Sequence, residues 1–565
     1  MTRWWTGSAP RLLALVTAGG ALAAMALAAA PPPEIGEGVV ATDHRLASEA
    51  GAEILRSGGN AADAAVAAAL AAGVVQSAGS GLGGGGFAVV VEPGPDGARA
   101  VLDFREVAPA GATRDMYIKD NGKVSSKRSR RGALAVAVPA ESRGLARLLA
   151  ERGSLQPMKV AAPAIRHASQ GYVVEAHLAE ALSRTKYDEV QALFSVDGTL
   201  AVRGVRVKNK ALAGTLKRWA ASRGEDLHTG RGAAAIAARM ASDEGLVTAD
   251  DLARVMPKDR APIVTHFGEH TLITMPPPSS GGVVLAQVLQ VLDGYDLESL
   301  GHNSSDYLHL ITEAMKHAYA DRAHHLGDPD HVKVDVDRLL GDARIDAIRH
   351  EVWPGRTFGP EHYGALIAPP TDGGTQHISV LDKDGMGVAL TTTINTSFGS
   401  GVVVSDLGLP LNNEMDDFSA QPGAPNAYGL VGSEANAVAP GKRPLSSMTP
   451  TVVLDKEGRV VMVIGASGGS TIISGTLQVY LNMAVFDMDP QAAVSAPRIH
   501  HQWLPDTLFV EPEIPLDVRQ NLEKRGHTLD VRPGFTAVQA VRKRAGGVVE
   551  GGSDPRKGGW PAGTR

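Results

Sequence analysis

The 565-residue chain contains no cysteine. That absence excludes disulfides, thiolate metal sites and cysteine nucleophiles, together with the lipid-bearing cysteine of a bacterial lipoprotein. Stability must come from packing alone. A basic block is missing too: 55 Lys and Arg stand against 61 Asp and Glu, a formal net charge of -6. This balance argues against nucleic acid as a partner and for small-molecule chemistry. After the N-terminal segment no further run is long and apolar enough to suggest a membrane span. The length would suit several average domains or one large multilayer one.

The N-terminal segment carries Arg3 and Arg11 before an uncharged run from Leu12 to Ala30, then Pro31-Pro32-Pro33. Charged, apolar and small-residue regions in that order read as a secretory signal. Removal is expected after Ala28, because a Pro directly after the cut is disfavoured. An uncleaved anchor is the alternative, but the run is mostly Ala and Gly and weakly apolar. The expected division is therefore a signal over residues 1–28, then an exported chain, periplasmic or secreted, with no stable membrane anchor.

The chain is organised around Gly373-Gly374-Thr375-Gln376-His377-Ile378-Ser379-Val380, two glycines running into a Thr and an alternating strand. In mid-chain a Thr hydroxyl has no base on its own residue. Cutting the Gly374-Thr375 bond would give Thr375 a free α-amino group of pKa about 8, able to take the hydroxyl proton. One cleavage would create nucleophile and base together. Taken alone, the same residues also read as an ordinary loop ending in a β-former.

Upstream, two helical stretches between Asp43 and Val75 are separated by Ser57-Gly58-Gly59-Asn60, with Asn60 a plausible N-cap for the Ala-rich run that follows. Gly79-Ser80-Gly81-Leu82-Gly83-Gly84 satisfies GxGxxG. A helix pattern precedes it and a strand follows, the reverse of a dinucleotide loop, so its glycines are assigned to close backbone approach. Ala-rich helical patterning dominates from Leu134 to Gly268. A helix over Ser304 to His325 buries Leu308, Ile311 and Met315. His317, His324 and His325 invite a metal reading that no nearby carboxylate spacing supports, and His500 and His501 are treated likewise. No metal and no cofactor is expected. Residues 332–374, with several prolines, read as a loose exposed linker leading to Thr375.

After Thr375 the pattern becomes paired strands: Gln376 to Asp382 and Met386 to Asn395 around Asp382-Lys383-Asp384-Gly385, then Thr451 to Asp455 and Arg459 to Ile464. Gly465-Ala466-Ser467-Gly468-Gly469 satisfies G-x-S-x-G between a strand and a helix, the context of a serine-hydrolase elbow. Such an enzyme needs an acid and then a His after the Ser. Asp487, Asp489, His500, His501 and His527 are available, and spacing leaves this rival open.

Thr375, Asn412-Asn413-Glu414-Met415-Asp416-Asp417, Arg443-Pro444-Leu445-Ser446-Ser447-Met448 and Gly465-Ala466-Ser467-Gly468-Gly469-Ser470 together resemble the γ-glutamyltranspeptidase (glutathione hydrolase) family. The resemblance covers nearly the whole mature chain, through Arg498 to Trp503 and Ser553 to Arg556. It implies an α+β fold, the four-layer αββα sandwich of N-terminal-nucleophile hydrolases. It also implies self-cleavage between Gly374 and Thr375 into a large subunit, 29–374, and a small catalytic one, 375–565, forming one unit.

By the same resemblance Thr375 is the nucleophile, Thr393 steadies it, and Gly468 and Gly469 form the oxyanion hole. Arg105, Ser446 and Ser447 take the α-carboxylate of a γ-glutamyl donor such as glutathione, and Asn395, Glu414 and Asp417 take its ammonium. Tyr428 belongs to a lid within Pro422 to Pro440. Acceptors would be water or amino acids and peptides. Gln376 departs from the small residue many relatives carry there. Alternatives are a cephalosporin or glutaryl acylase of the same fold, a serine hydrolase using Ser467, and a non-catalytic glutamyl-binding relative.

Overall fold

The computed structural model describes residues 34–121, 124–364, 374–419 and 434–564. The signal segment 1–28, most of the lid and Tyr428 lie outside the described residues. Two seven-stranded antiparallel sheets form the centre. One runs, edge to edge, Ala562–Gly563, Val39–Thr42, Thr375–Leu381, Gly387–Thr393, Gly85–Val91, Arg99–Phe104 and Lys258–Arg260. The other runs Glu34–Gly36, Val549–Ser553, Ala537–Lys543, Val460–Ser467, Thr451–Leu454, His270–Thr274 and Ile263–Phe267. Chain from both sides of Gly374 contributes to both sheets, so neither sheet is complete without the other segment.

Alternation along Thr375–Leu381 explains the layering. Ile378 and Val380 pack with the Ala-rich helix Ala61–Val75, forming one core with Val388 and Leu390. Leu381 and Ala389 face the other way, into a second core with Val452 and Val463 of the opposite sheet. Ser379 Oγ donates across the interface to the Gln539 carbonyl at 3.0 Å. On the far side, helices Gly281–Leu292, Ser305–His325 and Thr471–Ala484 cover the second sheet. The result is the expected αββα sandwich, an α+β fold.

Local signals explain the elements. Asn60 caps Ala61–Val75 in a reciprocal box with Asp63, as the sequence suggests. Ala at most positions of that helix lets helix Arg45–Arg56 approach closely. The Asp382 carboxylate accepts from the backbone N–H groups of Asp384, Gly385 and Met386, closing the hairpin, and from Ala61, tying it to the helix start. The expected loose linker over 332–374 is corrected in part. It contains helices Val336–Leu340 and Asp342–Glu351 and a 3-10 turn at Pro360–His362, held by buried Leu339, Ile345 and Ile348. Residues 365–373 lie outside the described residues.

Candidate active site

Thr375 opens its strand in register with Thr393, which pairs in turn with Gly85. Its side chain lies on the face between the sheets, and Gln376 necessarily points the other way. The Gln376 amide donates to the Gln76 carbonyl at 2.7 Å in the helical layer, so the departure next to the nucleophile stays out of the site. Thr393 Oγ1 accepts from the Asn395 N–H at 2.9 Å and donates to the Gly374 carbonyl at 3.1 Å. With that proton committed, Thr375 Oγ1 is the donor in its 3.2 Å bond to Thr393 Oγ1. Gly84 makes room for this arrangement, since a Cβ there would sit 1.9 Å from the Thr393 carbonyl oxygen.

Opposite charges gather at one end of the pocket. Arg105 follows strand Arg99–Phe104 and donates to Glu414 through Nη1 and to Asp417 through Nη2. Both acids sit on the 3-10 turn Glu414–Asp417. Asn412, fully buried, anchors that turn by bonding Gly83, Ala137 and the Glu414 N–H. Glu414 Oε2 and Asp417 Oδ1 are each buried with no partner among the described residues. Burial pushes the carboxyls of Glu106, Glu414 and Asp417 above their usual range, against the pull of Arg105. Burial alone would depress Arg105, but Glu414, Asp417 and Glu106 outweigh it and hold the guanidinium charged.

The serine pair comes from a clasp of two loops. Ser446 donates its N–H to the Pro278 carbonyl at 2.9 Å, and its own carbonyl accepts from the Ser280 N–H at 2.8 Å. Ser447 Oγ accepts from Arg322 at 3.3 Å. Arg322, whose pKa burial lowers to about 10, is a second guanidinium beside the clamp that the sequence reading missed. In the sequence its helix shows an apolar stripe and several histidines, neither of which singles out Arg322. Asn395 is held at φ +72° and donates to the Asn413 carbonyl at 3.0 Å.

Gly468 and Gly469 turn the chain from strand Val460–Ser467 into helix Thr471–Ala484, at φ +138° and +63°. Their N–H groups form no hydrogen bond with the described residues. One cavity, about 290 Å³ of void out to its mouth, is lined by Arg105, Thr375, Thr393, Asn395, Glu414, Asp417, Ser446, Ser447, Met448, Gly469 and Ile472. Every described residue expected in the site is in that lining except Gly468, which adjoins Gly469, and Gly374, which precedes Thr375.

The serine-hydrolase rival does not assemble. Ser467 is fully buried, outside the pocket lining, with Oγ 2.7 Å from the Lys557 ammonium. His500 bonds Ser474 and Gln502, His501 faces Asp506, and His527 bonds His309. Lys557 also donates to the Thr375 carbonyl at 3.1 Å, a link between the C-terminal segment and the nucleophile that the sequence does not reveal. No imidazole lines the pocket among the described residues. Nearby His377 is buried with both ring nitrogens engaged by Thr391 and Ser379.

The model of the family described as gamma-glutamyltranspeptidase matches residues 47–564. The chain belongs to the γ-glutamyltranspeptidase family. It is 38% identical over 563 residues to a glutathione hydrolase proenzyme of Escherichia coli, covering 96% of this chain and 97% of that one. It is also 38% identical to glutathione hydrolase 2 of Arabidopsis thaliana, covering 93% of each. Among solved structures, a cephalosporin acylase from Bacillus halodurans superposes with TM-score 0.81 at 29% identity, over 94% of this chain and 97% of that one. A γ-glutamyltranspeptidase from Helicobacter pylori aligns with TM-score 0.55 at 37% identity, over 57% of this chain and 93% of that one. The fold is thus shared with acylases, whereas the sequence relationship to the γ-glutamyltranspeptidases spans nearly the whole chain.

Proposed function

We propose that this protein is a self-cleaving γ-glutamyltransferase and glutathione hydrolase, with Thr375 as nucleophile. It transfers the γ-glutamyl group of glutathione and related γ-glutamyl amides to water or to amino-acid and peptide acceptors. The observation that carries the reading is the pairing of Arg105 with Glu414 and Asp417 beside Thr375, each acid keeping one buried oxygen without a partner among the described residues. A γ-glutamyl donor has an α-carboxylate for Arg105, Ser446 and Ser447. Its α-ammonium suits Asn395, Glu414 and Asp417. A glutaryl donor, lacking the ammonium, would leave Arg105 as the partner shared by both acids and the second oxygen of each without a donor.

Maturation precedes catalysis. The Thr375 hydroxyl attacks the Gly374 carbonyl carbon, whose oxygen is polarised by Thr393. The Gly374-Thr375 amide C–N bond breaks, the nitrogen takes up a proton, and an ester joins Gly374 to Thr375 Oγ1. Water hydrolyses the ester, leaving residues 29–374 and 375–565 after signal removal. The two remain associated because both sheets are built from both segments.

In turnover the freed α-amine takes the Thr375 hydroxyl proton as Oγ1 attacks the γ-carbonyl. The Gly468 and Gly469 N–H groups stabilise the oxyanion. The leaving amine takes the proton and departs, forming the γ-glutamyl ester. Water or an acceptor amine attacks the ester next, releasing product and restoring the hydroxyl. Among the described residues no helix is long and apolar enough to cross a membrane, and export of the mature pair follows from the N-terminal signal pattern. Trapping the acyl-enzyme from a γ-glutamyl anilide and mapping it by mass spectrometry tests the assignment. Label on Thr375 is expected; label on Ser467 overturns it.

A further inference from the structure

We propose that His317, Glu351 and His362, none of which lines the catalytic pocket, form a structural transition-metal site suited to zinc. His317 lies on helix Ser305–His325, Glu351 ends helix Asp342–Glu351, and His362 ends the turn Pro360–His362. Three separate pieces of chain therefore supply one donor atom each, all within 4.8 Å of one another. His317 Nδ1 is 3.5 Å and His362 Nε2 3.9 Å from the same Glu351 oxygen. Zinc bonds of about 2.0–2.2 Å in a tetrahedron place donors about 3.3–3.6 Å apart, so small side-chain rotations close the set. Two imidazoles and a carboxylate are a common zinc donor set, with a fourth position left for water.

The surroundings favour an ion over a hydrogen-bonded cluster. His317 turns Nδ1 toward Glu351, and both carboxylate contacts are too long for good hydrogen bonds. The His317 ring packs edge-on against Tyr363 at 4.8 Å, and the His362 ring stacks on Phe358 at 4.4 Å. These contacts hold the imidazoles in place. Glu351 is 43% and His362 33% exposed, which leaves an entry path from solvent. Arg344, the nearby cation on the Glu351 helix, is already paired with Asp321.

A second group, His309, Glu313 and His527, shows the contrast. It is fully buried, its imidazoles bond each other at 2.7 Å, and Glu313 already accepts from Thr357 and Tyr363. Its groups are satisfied without an ion. The carboxylates one helical turn from His317, Glu313 and Asp321, are engaged by Tyr363 and Arg344. The carboxylate comes from Glu351, on a different helix. A bound ion would clasp two helices to the segment that leads toward Gly374-Thr375.

Calorimetric titration of zinc into EDTA-stripped full-length protein tests the site. One zinc per chain is expected. His362→Ala and Glu351→Gln should each weaken that binding at least roughly tenfold, the smallest loss that removing even a supporting partner produces. The exposed His325→Ala should leave it unchanged. Zinc should raise the unfolding temperature of the wild type and of His325→Ala but not of His362→Ala. Absence of binding at about 100 μM zinc, where a useful structural site would be filled, overturns the proposal. Unchanged affinity in both His362→Ala and Glu351→Gln overturns it equally.

Discussion

Arg105 donates through Nη2 to Asp417 Oδ2, while the other Asp417 oxygen is buried with no partner among the described residues. One acid thus faces a fixed guanidinium and keeps one acceptor for a second cation. Asp417→Asn removes the charge with little change of shape. It should lower kcat/KM for glutathione by about 2–4 kcal/mol, roughly 30- to 1,000-fold. A glutaryl amide of the same leaving group should lose much less. Steady-state kinetics on both substrates decide, and equal losses would contradict an ammonium contact.

Processing should depend on the two threonines unequally. Thr375→Ala is expected to give one folded, uncut, inactive chain on a denaturing gel. The wild type should give two bands that run as one species on a sizing column. Thr393→Val keeps the volume but loses the bond to the Gly374 carbonyl. Cleavage there should slow about 100- to 1,000-fold, the usual cost of one oxyanion-type donor. Cleavage of Thr375→Ala at the same bond would mean that another protease cuts it.

Gly468 sits at φ +138°, and a Cβ would lie 2.7 Å from Thr471 Oγ1 and 2.9 Å from the Phe535 carbonyl oxygen. Gly468→Ala must shift the turn that aims the N–H groups. A fall in kcat of about 10²–10³ with KM little changed is expected, because the loss is felt in the transition state. A variant with wild-type kcat would remove these glycines from the oxyanion role.

Glu141 supplies a pH test of stability away from the site. Its carboxyl is buried in an apolar cavity with Leu70, Leu82, Leu212, Leu216 and Leu409, and the backbone N–H of Gly81 offsets its burial only in part. Burial raises its pKa from 4.5 to about 8. The folded state then binds the proton more tightly than the unfolded state, so this contribution is fully present below about pH 4.5. It is lost as pH rises toward 8, by on the order of 1 kcal/mol per pH unit. Glu141→Gln should flatten that slope in denaturant unfolding between pH 5 and 8. An unchanged slope would show that Glu141 is ionised in the fold.

The sequence by itself determined the αββα class and, through its family resemblance, singled out Thr375 and the clamp residues as the candidates. Period-two strands, the Gly374-Thr375 step and the short polar motifs are local patterns, and their resemblance to one family ties them together. The hairpin at Asp382 and the Asn60 cap were legible for the same reason, since their hydrogen bonds span a few residues. Tertiary structure alone decided what depends on distant chain meeting. It buried Ser467 against Lys557 and gave Ser447 the Arg322 guanidinium. It turned Gln376 into the helical layer, folded helices out of the proline-rich stretch before Thr375, and brought Glu351 to His317 and His362. Apart from those helices, the contacts join residues of different elements, where no periodicity or spacing carries the signal and only packing sets the partner.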